Sequence, residues 1–187
     1  MNETPKEISR RGALVGGLVG AAAIPLLGLG SIAQAAGLPD AFGPLHHVGV
    51  AIAPNFDEVL AKLTATIGLE FYQPVVETLT LRDEAGHVHT YTDRFTLSKG
   101  PEPHVELLDP VPGSFFGANP AHPVVELGYV VGDRLAELSA MLTANGMPLL
   151  GTIAVDPQPG AVGVAWHQVS NNFLIELLAD DPVASMA

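Results

Sequence analysis

The sequence predicts an α+β fold: two fused βαβββ modules whose strands form one curled mixed sheet around a central cavity. Three observations predict it. The same order of elements occurs twice, a strand, an amphipathic helix and three further β-rich stretches. The first strands of the two halves align residue by residue, His47-Val48-Gly49-Val50-Ala51-Ile52 over Glu126-Leu127-Gly128-Tyr129-Val130-Val131. Each half also closes on a matching tail, Glu106-Leu107-Leu108-Asp109 and then Glu176-Leu177-Leu178-Ala179-Asp180, the second with one residue inserted. A repeat of about 70 to 79 residues is an internal duplication, too long for a solenoid unit.

Residues 1–35 read differently from the rest. A polar start ends in Arg10-Arg11, an uncharged run from Gly12 to Gly30 follows, and Ala33-Gln34-Ala35 offers small residues for cleavage. That order is a secretory signal peptide. Ser9-Arg10-Arg11 followed by Leu14 resembles the twin-arginine export signal, with Ala13 where Phe is usual and Val15 where Lys is frequent. The other reading is an uncleaved anchor, because the apolar run approaches the ~20 residues that span a bilayer. Its glycines and Pro25 make a weak permanent span. The expectation is an exported protein, periplasmic or extracellular, with residues 36–187 as its one domain and no stable membrane span after cleavage.

Module one covers 45–109. Leu45 to Ile52 alternates as a strand, with His47, Gly49 and Ala51 on one face and His46, Val48, Val50 and Ile52 on the other. Pro54-Asn55 breaks it. Phe56, Val59, Leu60, Leu63 and Ile67 then recur at helical spacing, with Asn55 placed to cap the start and Gly68 placed for a left-handed end. Val75 to Arg82, Val88 to Leu97 and His104 to Asp109 are the next strands, separated by turns at 83–86 and 99–101. A Pro/Gly/Asn-rich linker fills 110–123. Module two, 124–180, repeats the order: a strand from Val124 to Val131, a helix capped by Asp133 and carrying Leu135, Leu138, Met141 and Leu142, a stop at Asn145-Gly146, and strands Pro148 to Val155, Ala161 to Gln168 and Phe173 to Leu178.

Composition narrows the partners. The chain is 48% apolar and 15% charged, as a folded globular protein is, and carries a net charge of −12. Its few, scattered Lys and Arg exclude a nucleic-acid partner, since a phosphate backbone would be repelled. Cysteine is absent, which excludes disulfides, thiolate metal sites and cysteine nucleophiles. No nucleophile elbow, phosphate loop or dinucleotide fingerprint occurs.

Alternation decides which side chains enter the cavity. Each small sheet covers one face with its own helix and must turn the other toward its twin. Val48, Val50 and Ile52, and likewise Leu127, Tyr129 and Val131, take the helix side of the first strands, which leaves His47 and Glu126 inward. Val105 and Leu107, and Ile175 and Leu177, take the helix side of the last strands, which leaves Glu106 and Glu176 inward. A carboxylate inside an apolar run such as Phe173 to Leu178 costs several kcal/mol on burial unless a cation or strong donors compensate. With so few basic side chains, a metal ion is the readiest compensation.

At these positions and in this order, over about Leu45 to Asp180, the sequence resembles the vicinal oxygen chelate superfamily, which includes glyoxalase I, methylmalonyl-CoA epimerase, extradiol dioxygenases and bleomycin-resistance proteins. The resemblance implies that His47, Glu106 and Glu176 occupy metal-ligand positions, and that Glu126 stands where family enzymes commonly have His. One imidazole with three carboxylates is a hard, anionic set suited to Mg²⁺, Mn²⁺ or Fe²⁺, with Ni²⁺ and Zn²⁺ also open. It further implies a lyase or isomerase that binds adjacent oxygens of a small substrate and stabilises an enolate, with Glu176 or Glu126 as the general base. Two other readings stay open. One is a non-catalytic small-molecule-binding protein whose metal site has decayed; the other is an extradiol-type dioxygenase in which His104 or His167 restores a second histidine. Of the remaining candidates, His46 reads as a packing residue, His87 and His89, at a turn and on the adjoining strand, as lining the cavity mouth or facing water, His122 as a solvent-facing linker residue, and Tyr91, Phe95 and Trp166 as core aromatics with a substrate-stacking role in reserve. Segments 115–122 and 157–163 are expected to gate the cavity. A homodimer is left open, because some relatives complete the cavity with a partner chain and others within one polypeptide.

Overall fold

The computed structural model describes residues 39–52, 55–109, 116–117, 123–154 and 162–186. The expected signal segment, most of the linker including His122, and most of the second gating segment lie outside these residues. Among the described residues no helix is long and apolar enough to cross a membrane.

The elements follow the predicted order. After a single helical turn α1 (Pro39–Phe42) come β1 (His47–Ala51), α2 (Phe56–Ile67), β2 (Val75–Arg82), β3 (Val88–Leu97) and β4 (His104–Asp109). The second set is β5 (Val125–Val130), a 3₁₀ turn (Gly132–Arg134), α3 (Leu135–Ala144), β6 (Leu149–Ala154), β7 (Val162–Ser170) and β8 (Phe173–Leu178), ending in a 3₁₀ turn at Pro182–Ser185. The eight strands close into a barrel in the order β1-β4-β3-β2-β6-β7-β8-β5. Within each module the outer pair, β1 with β4 and β5 with β8, is parallel. Two antiparallel seams join the modules. One is long, β1 against β5, and the other short, where Leu81 meets Ile153 and Arg82 meets Thr152. The α+β class and the curled mixed sheet are therefore as the sequence predicts, and the sheet goes further by closing on itself, which removes its edges.

Both helices lie outside the barrel, α2 against β4 and α3 against β7 and β8. Leu135, Leu138 and Leu142 bury one stripe of α3, while Phe56 alone is buried on α2, under the Arg94 guanidinium 4.2 Å from its ring. Ile67, expected on the buried face, is exposed at the helix end. Gly68 takes the left-handed conformation (φ 70°) that ends α2, where its N–H donates to the Thr64 carbonyl. The two predicted N-caps differ from expectation. Asn55 sits at the cap position without a side-chain hydrogen bond, and Asp133 lies inside the 3₁₀ turn, so α3 starts from Leu135 uncapped. The 3₁₀ turn already occupies the first orphan N–H groups, which removes the need for a side-chain acceptor. Tyr129, expected against a helix, packs its ring on Phe42 of α1 at 5.4 Å.

Inside the barrel Leu81, Leu108, Phe116, Trp166 and Leu174 form one apolar cluster with Ala51 and Val124. The helix–sheet layer is separate from it, so the two can be perturbed independently. Leu138→Ala should lower unfolding free energy by about 2 to 5 kcal/mol in urea denaturation, the usual range for a fully buried leucine, while leaving divalent-ion uptake unchanged.

Candidate metal centre

The β1–β5 seam builds the site. Its register pairs His47 with Gly128 and Gly49 with Glu126. On the outer flanks the parallel partners place Glu106 beside Gly49 and Glu176 beside Gly128. Each glycine thus lies between two ligand-type residues, one from its own module and one from the other. The reason for glycine is direct: a Cβ at Gly128 would fall onto the His47 ring, and a Cβ at Gly49 onto the Glu126 carboxylate. The sequence writes this as a repeated pattern, His47-Val48-Gly49 and Glu126-Leu127-Gly128.

All four predicted side chains are brought together. His47, Glu106, Glu126 and Glu176 are buried, and one ligand atom from each lies within 4.8 Å of the others. His47 Nε2 is 2.8 Å from Glu176 Oε2 and 3.2 Å from Glu106 Oε2. Yet neither His47 Nε2 nor Glu106 Oε2 has a hydrogen-bond partner. Acceptor atoms that converge in a buried space without a donor between them fit a divalent cation, and one imidazole nitrogen with carboxylate oxygens is a donor set that such ions take. Trp166 belongs to the same structure, since its indole N–H donates to Glu126 Oε2 at 3.1 Å. The aromatic held in reserve for stacking thus orients a carboxylate.

Electrostatics show what the cluster costs when no cation is counted. Burial first, then Glu176, pushes Glu126 up to about 8, and burial, then Glu77, pushes Glu176 up to about 8. Burial and the same two neighbours, Glu126 and Glu176, hold Glu106 well above the usual carboxylate range. Burial lowers His47, against the pull of Glu126, and keeps its imidazole neutral.

The cluster lines a cavity of about 170 Å³ with Glu77, Leu79, Asp93, Phe95, Phe116 and Ile153 among its other walls. Glu77 and Asp93 face each other across β2 and β3 and were not among the predicted site residues. The histidines offered as substitutes go elsewhere. His167 bonds Ser139 Oγ (2.8 Å) and the Met147 carbonyl (3.0 Å) on the helix side, because Trp166 next to it points inward. His104 donates to the Ser98 carbonyl at 2.8 Å, and its ring lies 5.2 Å from that of His46 at a tilt of 57°, in a second group with Glu102. His87 and His89 bond Asp83 at the β2–β3 turn.

No protein-family model matches this chain, and no curated protein is significantly similar to it. Among solved structures it is similar to the genomically encoded fosfomycin resistance protein FosX of Listeria monocytogenes, in a mutant complexed with Mn(II) and 1S,2S-dihydroxypropylphosphonic acid, at 14% identity over 78% of this chain and 98% of that chain, with a TM-score of 0.27. A monoclinic form of FosX at pH 5.75 gives 12% identity over 75% and 93%, with a TM-score of 0.25.

Two outcomes follow from the geometry. Gly128→Ala should displace the His47 ring and weaken divalent-ion uptake about 10-fold or more in a chelator competition, while unchanged uptake would place His47 elsewhere. The second concerns pH. Raised carboxyl values mean that the folded chain holds protons the unfolded chain has already lost, so this stability is full below about pH 4.5 and vanishes as pH rises toward about 8. His47 contributes the opposite sign below about pH 6.5, one imidazole against three carboxyls. In chelator, the melting temperature should therefore fall between about pH 5 and pH 8, and saturating Mn²⁺ should reverse that slope; a flat profile in chelator would contradict the burial of these acids.

Proposed function

We propose that the chain is a divalent-metal-dependent lyase or isomerase of the vicinal oxygen chelate superfamily, acting on a small oxygenated molecule that is neutral or cationic. The observation that carries this reading is the convergence of His47, Glu106, Glu126 and Glu176 from both modules, with His47 Nε2 and Glu106 Oε2 free of hydrogen bonds. A divalent ion held by these four would supply Lewis acidity toward adjacent substrate oxygens. Glu126 or Glu176, each able to hold a proton near neutral pH when no cation is counted, would take the proton from the neighbouring carbon. Trp166 would keep one oxygen of Glu126 in place, and the apolar walls Leu79, Phe95 and Phe116 would exclude water.

The substrate's charge follows from where the basic side chains are. Arg94 joins Asp57 and Asp109, Arg134 joins Glu137, Lys62 joins Glu58, Lys99 lies over Tyr72 and Arg82 reaches the Gly86 carbonyl. Among the described residues none lines the cavity, and the segments 110–122 and 155–161 contain no Lys or Arg. An anionic substrate such as a phosphonate would meet carboxylates without a compensating cation other than the ion itself. The dioxygenase reading loses support as well, because His104 and His167 bond elsewhere and leave His47 as the one imidazole of the cluster among the described residues.

Elemental analysis tests the proposal. Protein purified with Mn²⁺, Fe²⁺, Ni²⁺ or Zn²⁺ in the medium should hold one ion per chain, lost in Glu106→Ala. Glu126→Gln and Glu176→Gln then separate ligand from base. The base variant keeps its metal and loses metal-dependent C–H exchange into D₂O of neutral hydroxyketones, about 100-fold or more. Protein that takes up no divalent ion but binds such molecules would be the non-catalytic binder instead.

A further inference from the structure

His46, read from the sequence as a packing residue, bonds on both of its ring nitrogens. It is 2% exposed and directly precedes β1. Its Nδ1 lies 2.9 Å from Nδ1 of His47, with the two rings edge to face at 87°. Its Nε2 lies 3.2 Å from Asp181 Oδ1. Asp181 in turn caps the C-terminal 3₁₀ turn by accepting from the Val183 N–H at 2.8 Å, and that turn brings Pro182 and Ser185 to the cavity wall.

Two imidazole nitrogens 2.9 Å apart form a hydrogen bond only when one carries the proton and the other the lone pair. The Asp181 carboxylate accepts, so His46 carries its proton on Nε2. A neutral His46 then presents a lone pair at Nδ1, and His47 must donate from its own Nδ1. That leaves the lone pair of His47 on Nε2, the atom that faces Glu106 and Glu176 without a hydrogen bond.

We propose that Asp181 and His46 are positioning residues that fix the His47 tautomer and ring orientation for a divalent cation in the inner cluster. The proposal rests on the metal reading above for its purpose but not for its geometry.

The test uses the full chain with Zn²⁺ as a diamagnetic probe. His46→Phe keeps the ring volume and removes the acceptor, so Zn²⁺ affinity should fall about 10- to 100-fold in a chelator competition, with the chelated protein melting within a few degrees of the parent. His46→Gln, whose amide oxygen can accept from His47, should recover most of that loss. Long-range ¹H–¹⁵N spectra of the chelated parent should show His47 protonated on Nδ1 and His46 on Nε2. Unchanged Zn²⁺ affinity in His46→Phe, or His47 protonated on Nε2 in the parent, would overturn the proposal. If the parent takes up no divalent ion, the metal reading fails, and the spectra still decide the tautomer chain independently, even should His46→Phe not fold.

Discussion

The register of the β1–β5 seam is the constraint on which the rest of the structure depends. It sets His47 opposite Gly128 and Glu126 opposite Gly49, so each module provides the hollow that the other's side chain occupies. A slip of one residue would turn both side chains to the helix side and bring Val48 and Leu127 into the cavity. Barrel closure, burial of the acids and the size of the cavity all presuppose that this ladder is in place. The parallel pairs β1–β4 and β5–β8 then only have to deliver Glu106 and Glu176 to the same two glycines.

Gathering three carboxylates in a dry interior works against folding, and the protein offers little to soften it. Its described Lys and Arg side chains are committed on the outer surface, and the donor that reaches Glu126 is an uncharged indole. What the arrangement loses in stability without an ion it can return as affinity, because an ion that neutralises the acids is bound in proportion to their mutual repulsion. Stability and ligand chemistry are here one electrostatic quantity seen from two sides.

Much of this was legible in the chain because period-two alternation is a strict rule inside a two-faced sheet. Once Val105 and Leu107 were assigned to the helix side, Glu106 had to face inward, and the same reasoning placed Glu126, Glu176 and His47. The rule failed where a strand begins: His104, at the first position of β4, turns its ring to the Ser98 carbonyl, whereas His167 obeys it by facing away from the cavity that Trp166 enters. Glu77 and Asp93 are a different case. Threonines fill one face of that hairpin, while Glu77 shares the other with Leu79 and Leu81 and Asp93 with Tyr91 and Phe95, and the pairing of β3 with β4 and of β2 with β6 is what turns this second face to the cavity. The His46–His47 contact lay equally hidden, since adjacent strand residues normally point apart and these two meet only because His46 stands just outside β1.

The reciprocal hollows have an implication for how such a molecule can diversify. Two separate copies of a single half, paired through the same ladder, would be obliged to present identical side chains at both ends of it. Joining them in one polypeptide lifts that obligation. Here one end offers nitrogen and the other oxygen, a lopsidedness that gives an incoming molecule a front and a back, and that no symmetric pairing of equal halves could supply.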